Sequence, residues 1–371
     1  MTSRERFFCC FRRQLPDRLP MDILWPRTET VAALKRHFGA GSPEEVWRWL
    51  GIDFRWIPIP ARYPEFERRV NGRLEGDAPG AGQEYVFQDP RTFADAWGIV
   101  RRVGEDGKYV EWCGGPLVGR ENLTGWTPPP VVYPRAEELA GRVAPLGDVV
   151  TVAEIDFPFK VAWHLCGMED LLALMLANPG FVHGLYDQLY SFQTEKALLI
   201  ARAGFDVLAI VGDIAGQQGM IFSPALFAEF DAPRLSALIG RVKAVNSSIK
   251  VMYHSDGNVE AAIPQLIRCG IDILNPIQSA CMDPAAIKRR YGGHLVFHGT
   301  ISVQDTIPRG TVRDVEKEVF ARIRTVGYDG GLVVSPENSI PFDAPLANIL
   351  AVYDAVRAFD YAELRTSSSS P

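Results

Sequence analysis

A four-fold recurrence constrains this chain more than any other feature. Gly51-Ile52-Asp53, Gly204-Phe205-Asp206, Gly270-Ile271-Asp272 and Gly327-Tyr328-Asp329 share one order: glycine, apolar residue, aspartate. In the clearest cases a stretch of helical periodicity precedes the glycine and a short apolar run comes after the pair. Glycine takes the left-handed conformation that ends a helix, and the apolar residue after it packs back on the last turn. Each copy reads as a helix stopping and a strand starting.

The apolar runs predict strands at 19–24, 52–57, 149–155, 206–211, 249–253, 271–275, 294–298 and 331–335. Helices lie between most of them. Asn178-Pro179 and Ser223-Pro224 each offer a cap residue followed by proline at the first helical position. Eight buried strands alternating with helices predict an α/β fold, a parallel sheet closed into a (β/α)8 TIM barrel. The rival is an open doubly wound sheet, but no glycine-rich phosphate loop comes after the first run.

Residues 60–145 break the alternation. This interval contains GDAPGAGQ and TPPPVVYP together with two-period runs such as WGIVRRV and KYVEWCGG, so it reads as a β-rich insertion between the second and third barrel strands. A lid over the barrel mouth and simple decoration are both open uses. The whole chain, 1–371, reads as one barrel domain that carries this insertion and ends in a disordered tail, 365–371.

The net charge of −6 comes with scattered basic residues, which leaves no electrostatic footprint for nucleic acid or an anionic membrane. The six cysteines include no CxxC pair, so reduced thiols in the cytoplasm are expected rather than a disulfide framework. The N-terminal stretch lacks the apolar core of a signal peptide, and no window approaches the roughly 18 apolar residues that cross a bilayer.

The C-terminal ends of barrel strands form the mouth where chemistry occurs. Reading those ends collects Asp22, Asp156, Asp213, His254 with Asp256, Asn275 with Gln278, His298, and Glu337 with Asn338. Each has a duller explanation. Asp256 before Gly257 suits a side-chain turn, Asp213 suits a helix cap, His254 and His298 suit hydrogen-bonded histidines, and Glu337 suits a solvated acid. Their collection on one rim favours an active site.

The stretches FDVLAIVGDIAGQQGMIFSPALFAEF, HSDGNVEAAIPQLIRCGIDILNPIQ, LVFHGTISVQDTIPRGT and SPENSIPFDAPLANILAVYDAV resemble the uroporphyrinogen decarboxylase superfamily. RERFF…LPDRLP and AWHLCGMEDLLALMLANPGFV are similar to it too. The resemblance covers nearly the whole chain except the insertion, and it implies a (β/α)8 barrel. True decarboxylases carry a first-strand segment of the form RQAGRY, whose arginines hold the substrate carboxylates. Here the corresponding stretch is MDILWPRTET, with Arg27 alone and displaced. The resemblance is closer to the branch of cobalamin-dependent methyltransferases, which implies a corrinoid on a partner protein and a homodimer. Thiol-methylating members of that branch bind zinc through His-x-Cys after the fifth strand and a cysteine after the eighth. This chain reads His254-Ser255-Asp256 and Pro336-Glu337-Asn338 at those places, and oxygen ligands favour an ether, amine or alcohol over a thiol. His164-Leu165-Cys166 shares the His-x-Cys form, but its neighbours suggest entry to a packed helix.

The expectation is therefore demethylation of a small methoxylated or N-methylated substrate. His254, Asp213 and His298 are the candidate catalytic residues. His254, Asp256 and Glu337 would hold zinc or another divalent metal; alternatively His254 or His298 would protonate the leaving group. Gln217, Asn275, Gln278 and Asn338 are expected to bind substrate. A carboxy-lyase acting on a small or tetrapyrrole acid and a non-catalytic ligand-binding barrel are the alternatives.

Overall fold

Three of the four recurring glycines end helices in the left-handed conformation: Gly51 at φ 73°, Gly204 at 80° and Gly270 at 99°. Gly327 has another reason. A Cβ there would lie 2.5 Å from Leu19 Cδ1, so glycine lets the helix Val312–Thr325 end against the first wall segment. The computed structural model describes residues 1–75, 80, 82–105, 107 and 109–367.

The aspartates of the motif stitch the wall together. Asp53 accepts the backbone N–H of Met21 at 2.8 Å, Asp206 that of Thr151 at 3.0 Å and Asp272 that of Val251 at 2.8 Å. Each bond reaches the preceding wall segment at the bottom of the barrel, the face where such residues serve stability. Asp329 departs from the pattern and binds Lys288 Nζ and the N–H of Gly331 instead.

Seven strands form one parallel sheet in the order Phe54–Trp56, Val150–Asp156, Val207–Val211, Lys250–His254, Ile273–Asn275, Val296–His298, Leu332–Val333. The expected first strand, 19–24, shrinks to a parallel bridge between Met21 and Val334. It still closes the ring. Val334 N donates to Pro20 O at 2.8 Å and Asp22 N to Val334 O at 3.0 Å, while Asp53 N donates to Met21 O at 2.8 Å on the other side. Pro20 has no N–H to extend that ladder. The architecture is a (β/α)8 barrel whose first stave is nearly without regular strand.

Alternate wall residues fill the interior: Phe54, Val150, Val152, Val207, Ala209, Met252, Ile273, Val296 and Val333 pack with Phe7 and Cys10. Those last two come from the helix Ser3–Phe11, which opens on a Thr2–Glu5 capping box and plugs the barrel bottom. Its arginines dock on the motif aspartates, Arg4 on Asp206 and Arg6 on Asp53, each at 2.8 Å. Asn178 and Ser223 cap their helices as their sequence positions predict. The second helix runs through a π turn, Phe227–Asp231, into Ala232–Val245.

The insertion is β-rich, as expected: five antiparallel strands from Gly72–Arg73 to Val110–Gly114. It leans on the helix Pro158–Cys166 through Trp112 Nε1 donating to His164 O at 2.8 Å and Leu117 N to Leu165 O at 3.0 Å. Most of GDAPGAGQ lies outside the described residues. The C-terminal helix Ala362–Ser367 takes in the start of the 365–371 tail, and 368–371 lie outside the described residues. Among the described residues no helix is long and apolar enough to cross a membrane. All six cysteines are free.

Candidate active site

The wall strand Lys250–His254 pairs His254 with Val211 on one side and Asn275 on the other. That register decides which side chains meet. Asp213 lies two residues past Val211, Asp256 two past His254, and both carboxylates approach His254 Nε2 to 4.0 Å. The ligand atoms of Asp213, His254 and Asp256 fall within 4.8 Å of one another. The backbone N–H of Asp256 donates to Asp213 Oδ1 at 2.8 Å, and Asn338 Nδ2 donates to Asp256 Oδ2 at 2.6 Å. Asp256 Oδ1 is buried without a hydrogen-bond partner. Burial pushes the Asp256 carboxyl above the usual carboxylate range, while His254 pulls the other way.

Below this cluster runs a buried relay. Asn275 Nδ2 lies 3.0 Å from the backbone oxygen of His298. A carbonyl only accepts, so this contact fixes the amide, and Oδ1 must face His254 Nδ1 at 2.6 Å. His254 therefore carries its proton on Nδ1, and in the neutral ring Nε2 presents a lone pair to Asp213 and Asp256. The same amide donates to His298 Nδ1 at 2.8 Å, which leaves His298 Nε2–H to donate to Asp22 Oδ2 at 3.0 Å. Trp56 Nε1 completes the relay on Asp22 at 2.9 Å.

Other expected site residues lie elsewhere. His298 is fully buried with both ring nitrogens engaged, so it stands under the mouth and is not placed to protonate a leaving group there. Glu337 does not join the His254 and Asp256 ligand atoms: its Oε1 accepts the N–H and Oγ–H of Ser279, both at 2.7 Å, while burial raises its carboxyl. Asp213 takes the third position instead. Gln278 Oε1 is spent on the backbone N–H of Gly257 at 2.8 Å. A Cβ on Gly257, at φ 84°, would lie 2.5 Å from Gly216 O, so only glycine lets this turn approach the next loop. Gln217 is exposed at the tip of that loop, between Ala215–Gly216 and Gly219–Met220. Asp156 is paired with Lys160 at 2.8 Å. His164 and Cys166 close a helix rather than entering one; Cys166 is buried and burial drives the His164 pKa down to about 3.

Two residues at the mouth were not among the candidates. Trp25 packs edge-on against the His254 ring with centroids 4.7 Å apart, and Trp56 stands against Trp25 at 5.5 Å. Trp25 has φ 40°, a backbone state that costs a bulky residue on the order of 1–3 kcal/mol. Ser339 Oγ–H to Trp25 O at 2.8 Å and Trp25 Nε1–H to Glu154 Oε2 at 3.2 Å hold it there. Trp25 follows the first wall segment and Trp56 ends the second, positions that signal the mouth as well as any acid does.

Residues 135–359 match the uroporphyrinogen decarboxylase (URO-D) family. The chain belongs to that family. Methylated-thiol–coenzyme M methyltransferase of Methanosarcina mazei is 22% identical to this URO-D member over 231 residues, which span 62% of this chain and 58% of that protein. The solved structure of a methyltransferase from Methanosarcina mazei aligns over 96% of this chain and 98% of its own, with 18% identity and a TM-score of 0.66. That likeness establishes a shared fold along almost the whole length.

Proposed function

We propose that this URO-D protein is a methyltransferase that removes a methyl group from a small methoxylated or N-methylated substrate and passes it to a corrinoid carried by a partner protein. The supporting observation is the convergence of Asp213, His254 and Asp256 at the mouth, with both carboxylates 4.0 Å from His254 Nε2 and Asp256 Oδ1 unpartnered. The names of the two similar proteins support the same class of reaction.

The donor set fits a divalent cation: one imidazole lone pair and two carboxylates, with the second nitrogen of His254 held by Asn275 as ligating histidines require. Asp213, His254 and Asp256 would hold it, and it would act as a Lewis acid toward the leaving atom. With no thiolate in the set, oxygen or nitrogen suits the leaving atom better than the thiol in the relative's name. The bound corrinoid supplies the nucleophile that takes the methyl group. The chain's own residues orient the rest. Asn338 and the Asp256 N–H lock the two carboxylates, and Asn275 and His298 fix the His254 ring.

Incubation of the purified protein with cob(I)alamin and a panel of methoxylated and N-methylated compounds tests this reading. Loss of the cobalt(I) absorbance with at least one donor is expected. Inertness toward every donor, with carbon dioxide released from a carboxylic acid, would replace it with a carboxy-lyase. Inertness in both assays would leave a binding protein.

A further inference from the structure

Beside the His254 cluster lies a cavity of about 190 Å³ whose walls include Trp25, Trp56, Val152, Ala153 and Glu154. The two indole planes meet at 60°, so they form a corner, and the exposed Glu154 carboxylate stands at its edge, tied to Trp25 Nε1. Trp25 reaches this position in a strained backbone conformation, which the surrounding contacts hold in place.

The charge around the corner is acidic. Glu154, Asp156 and Asp213 surround Lys160, Lys196 stands by Glu154 and Asp156, and Asp256 lies against Asp213. Lys160 is consumed by Asp156 at 2.8 Å, leaving three carboxylates against one ammonium. A divalent cation on Asp213 and Asp256 would offset those two and leave Glu154 against Lys196, with Glu154 the carboxylate that borders the corner itself.

We infer that this corner binds the methylated ammonium group of a cationic methyl donor, a quaternary ammonium above all. Aromatic faces attract cations, and the attraction grows where water is excluded. A nearby carboxylate adds Coulomb attraction. An ether has no charge to feel either, and a substrate carrying a carboxylate would be repelled by Glu154. Binding itself needs no chemistry; the step after it rests on the methyl-transfer reading. In that step the C–N bond breaks with its electron pair left on nitrogen, so the cation departs as a neutral amine. The reduced corrinoid acceptor supplies both electrons of the new bond to the methyl carbon.

Titration calorimetry of the full chain with tetramethylammonium chloride tests the site, with neutral 2,2-dimethylpropan-1-ol of similar shape and anionic 4-methoxybenzoate as comparisons. Tetramethylammonium is expected to bind at least tenfold more tightly than either. Its Kd should rise at least tenfold in Trp25→Leu and in Glu154→Gln, and less in Trp56→Phe, which keeps an aromatic face; circular dichroism reports that each variant is folded. Equal binding of the alcohol or the benzoate, no binding of the cation, or an unchanged Kd in folded Trp25→Leu and Glu154→Gln would overturn the inference. The two readings fail separately. Cation binding without methyl transfer from any donor to cob(I)alamin defeats the methyl-transfer reading and leaves the site standing. Transfer from methoxylated donors alone, with no cation binding, defeats the site and leaves the reaction.

Discussion

Asn275 donates through Nδ2 to the backbone oxygen of His298 at 3.0 Å, and that contact turns its Oδ1 toward His254 on the neighbouring strand, where Nδ1 must carry a hydrogen. Long-range proton–nitrogen NMR on histidine-labelled protein at neutral pH should find His254 protonated on Nδ1 and His298 on Nε2. Asn275→Leu should lose this selection at His254 and weaken divalent-cation binding by about 10–100-fold. Asn275→Asp should restore it at His254, because a carboxylate still accepts from Nδ1, but not at His298. A His254 without a hydrogen on Nδ1 in the unaltered protein would contradict the relay.

Asp53 is wholly buried and holds Arg6, Arg18, Ser3 and the Met21 N–H at once. Asp53→Ala leaves the buried Met21 N–H and one side of the Arg6 guanidinium without their acceptor, although Arg6 keeps its pair with Asp17, and should cost about 3–5 kcal/mol. Asp206→Ala should cost about 1–3 kcal/mol, because its ion-pair partner Arg4 is half exposed and water replaces the lost carboxylate. Urea unfolding of the two variants checks the order. A larger loss at Asp206 would contradict this account of the barrel bottom.

Asp231 sits in the π turn, fully buried, accepting from Tyr190 Oη at 2.9 Å with Oδ2 unpartnered. Burial lifts its pKa from an ordinary 3.8 to about 7. The folded carboxyl thus keeps a proton that the unfolded chain has released, so its contribution to stability is fully present below the ordinary value and is lost as pH rises through about 7. The slope from this one group reaches up to about 1.4 kcal/mol per pH unit. Asp231→Asn keeps a neutral acceptor for Tyr190 and should remove that slope. Unfolding free energies at about pH 5 and about pH 8 should therefore shift in favour of the variant at the higher pH. An equal difference between the two proteins at both values would contradict the buried-acid account.

The barrel was legible because its signals are local. A glycine after a helical stretch and an apolar run after the glycine mark where each helix ends and each strand starts, and three of the four motif glycines adopt the conformation this requires. The first stave was not, because Pro20 removes the ladder that an apolar run would otherwise build. At the site, the sequence places His254, Asp213 and Asp256 on the mouth, but convergence depends on register across strands. His254 pairs with Val211, which delivers Asp213, whereas the Glu337 carboxylate is taken up by Ser279, a neighbour from a distant loop. His298 sits at a strand end yet faces the barrel interior, packing edge-on against Phe54 at 5.6 Å. Trp25 and Trp56 escaped notice because apolar residues at strand ends look like core, and only the backbone strain at Trp25 and the cavity beside it set them apart.

Elemental analysis of the purified protein after dialysis against zinc and cobalt(II), run beside methyl transfer to cob(I)alamin, tests the central claim that Asp213, His254 and Asp256 act as one centre. The unaltered protein should retain one divalent ion per chain and transfer methyl groups, while folded His254→Ala should lose both, with Asp213→Asn and Asp256→Asn each weakened at least tenfold. Full methyl transfer by a folded His254→Ala protein would contradict it.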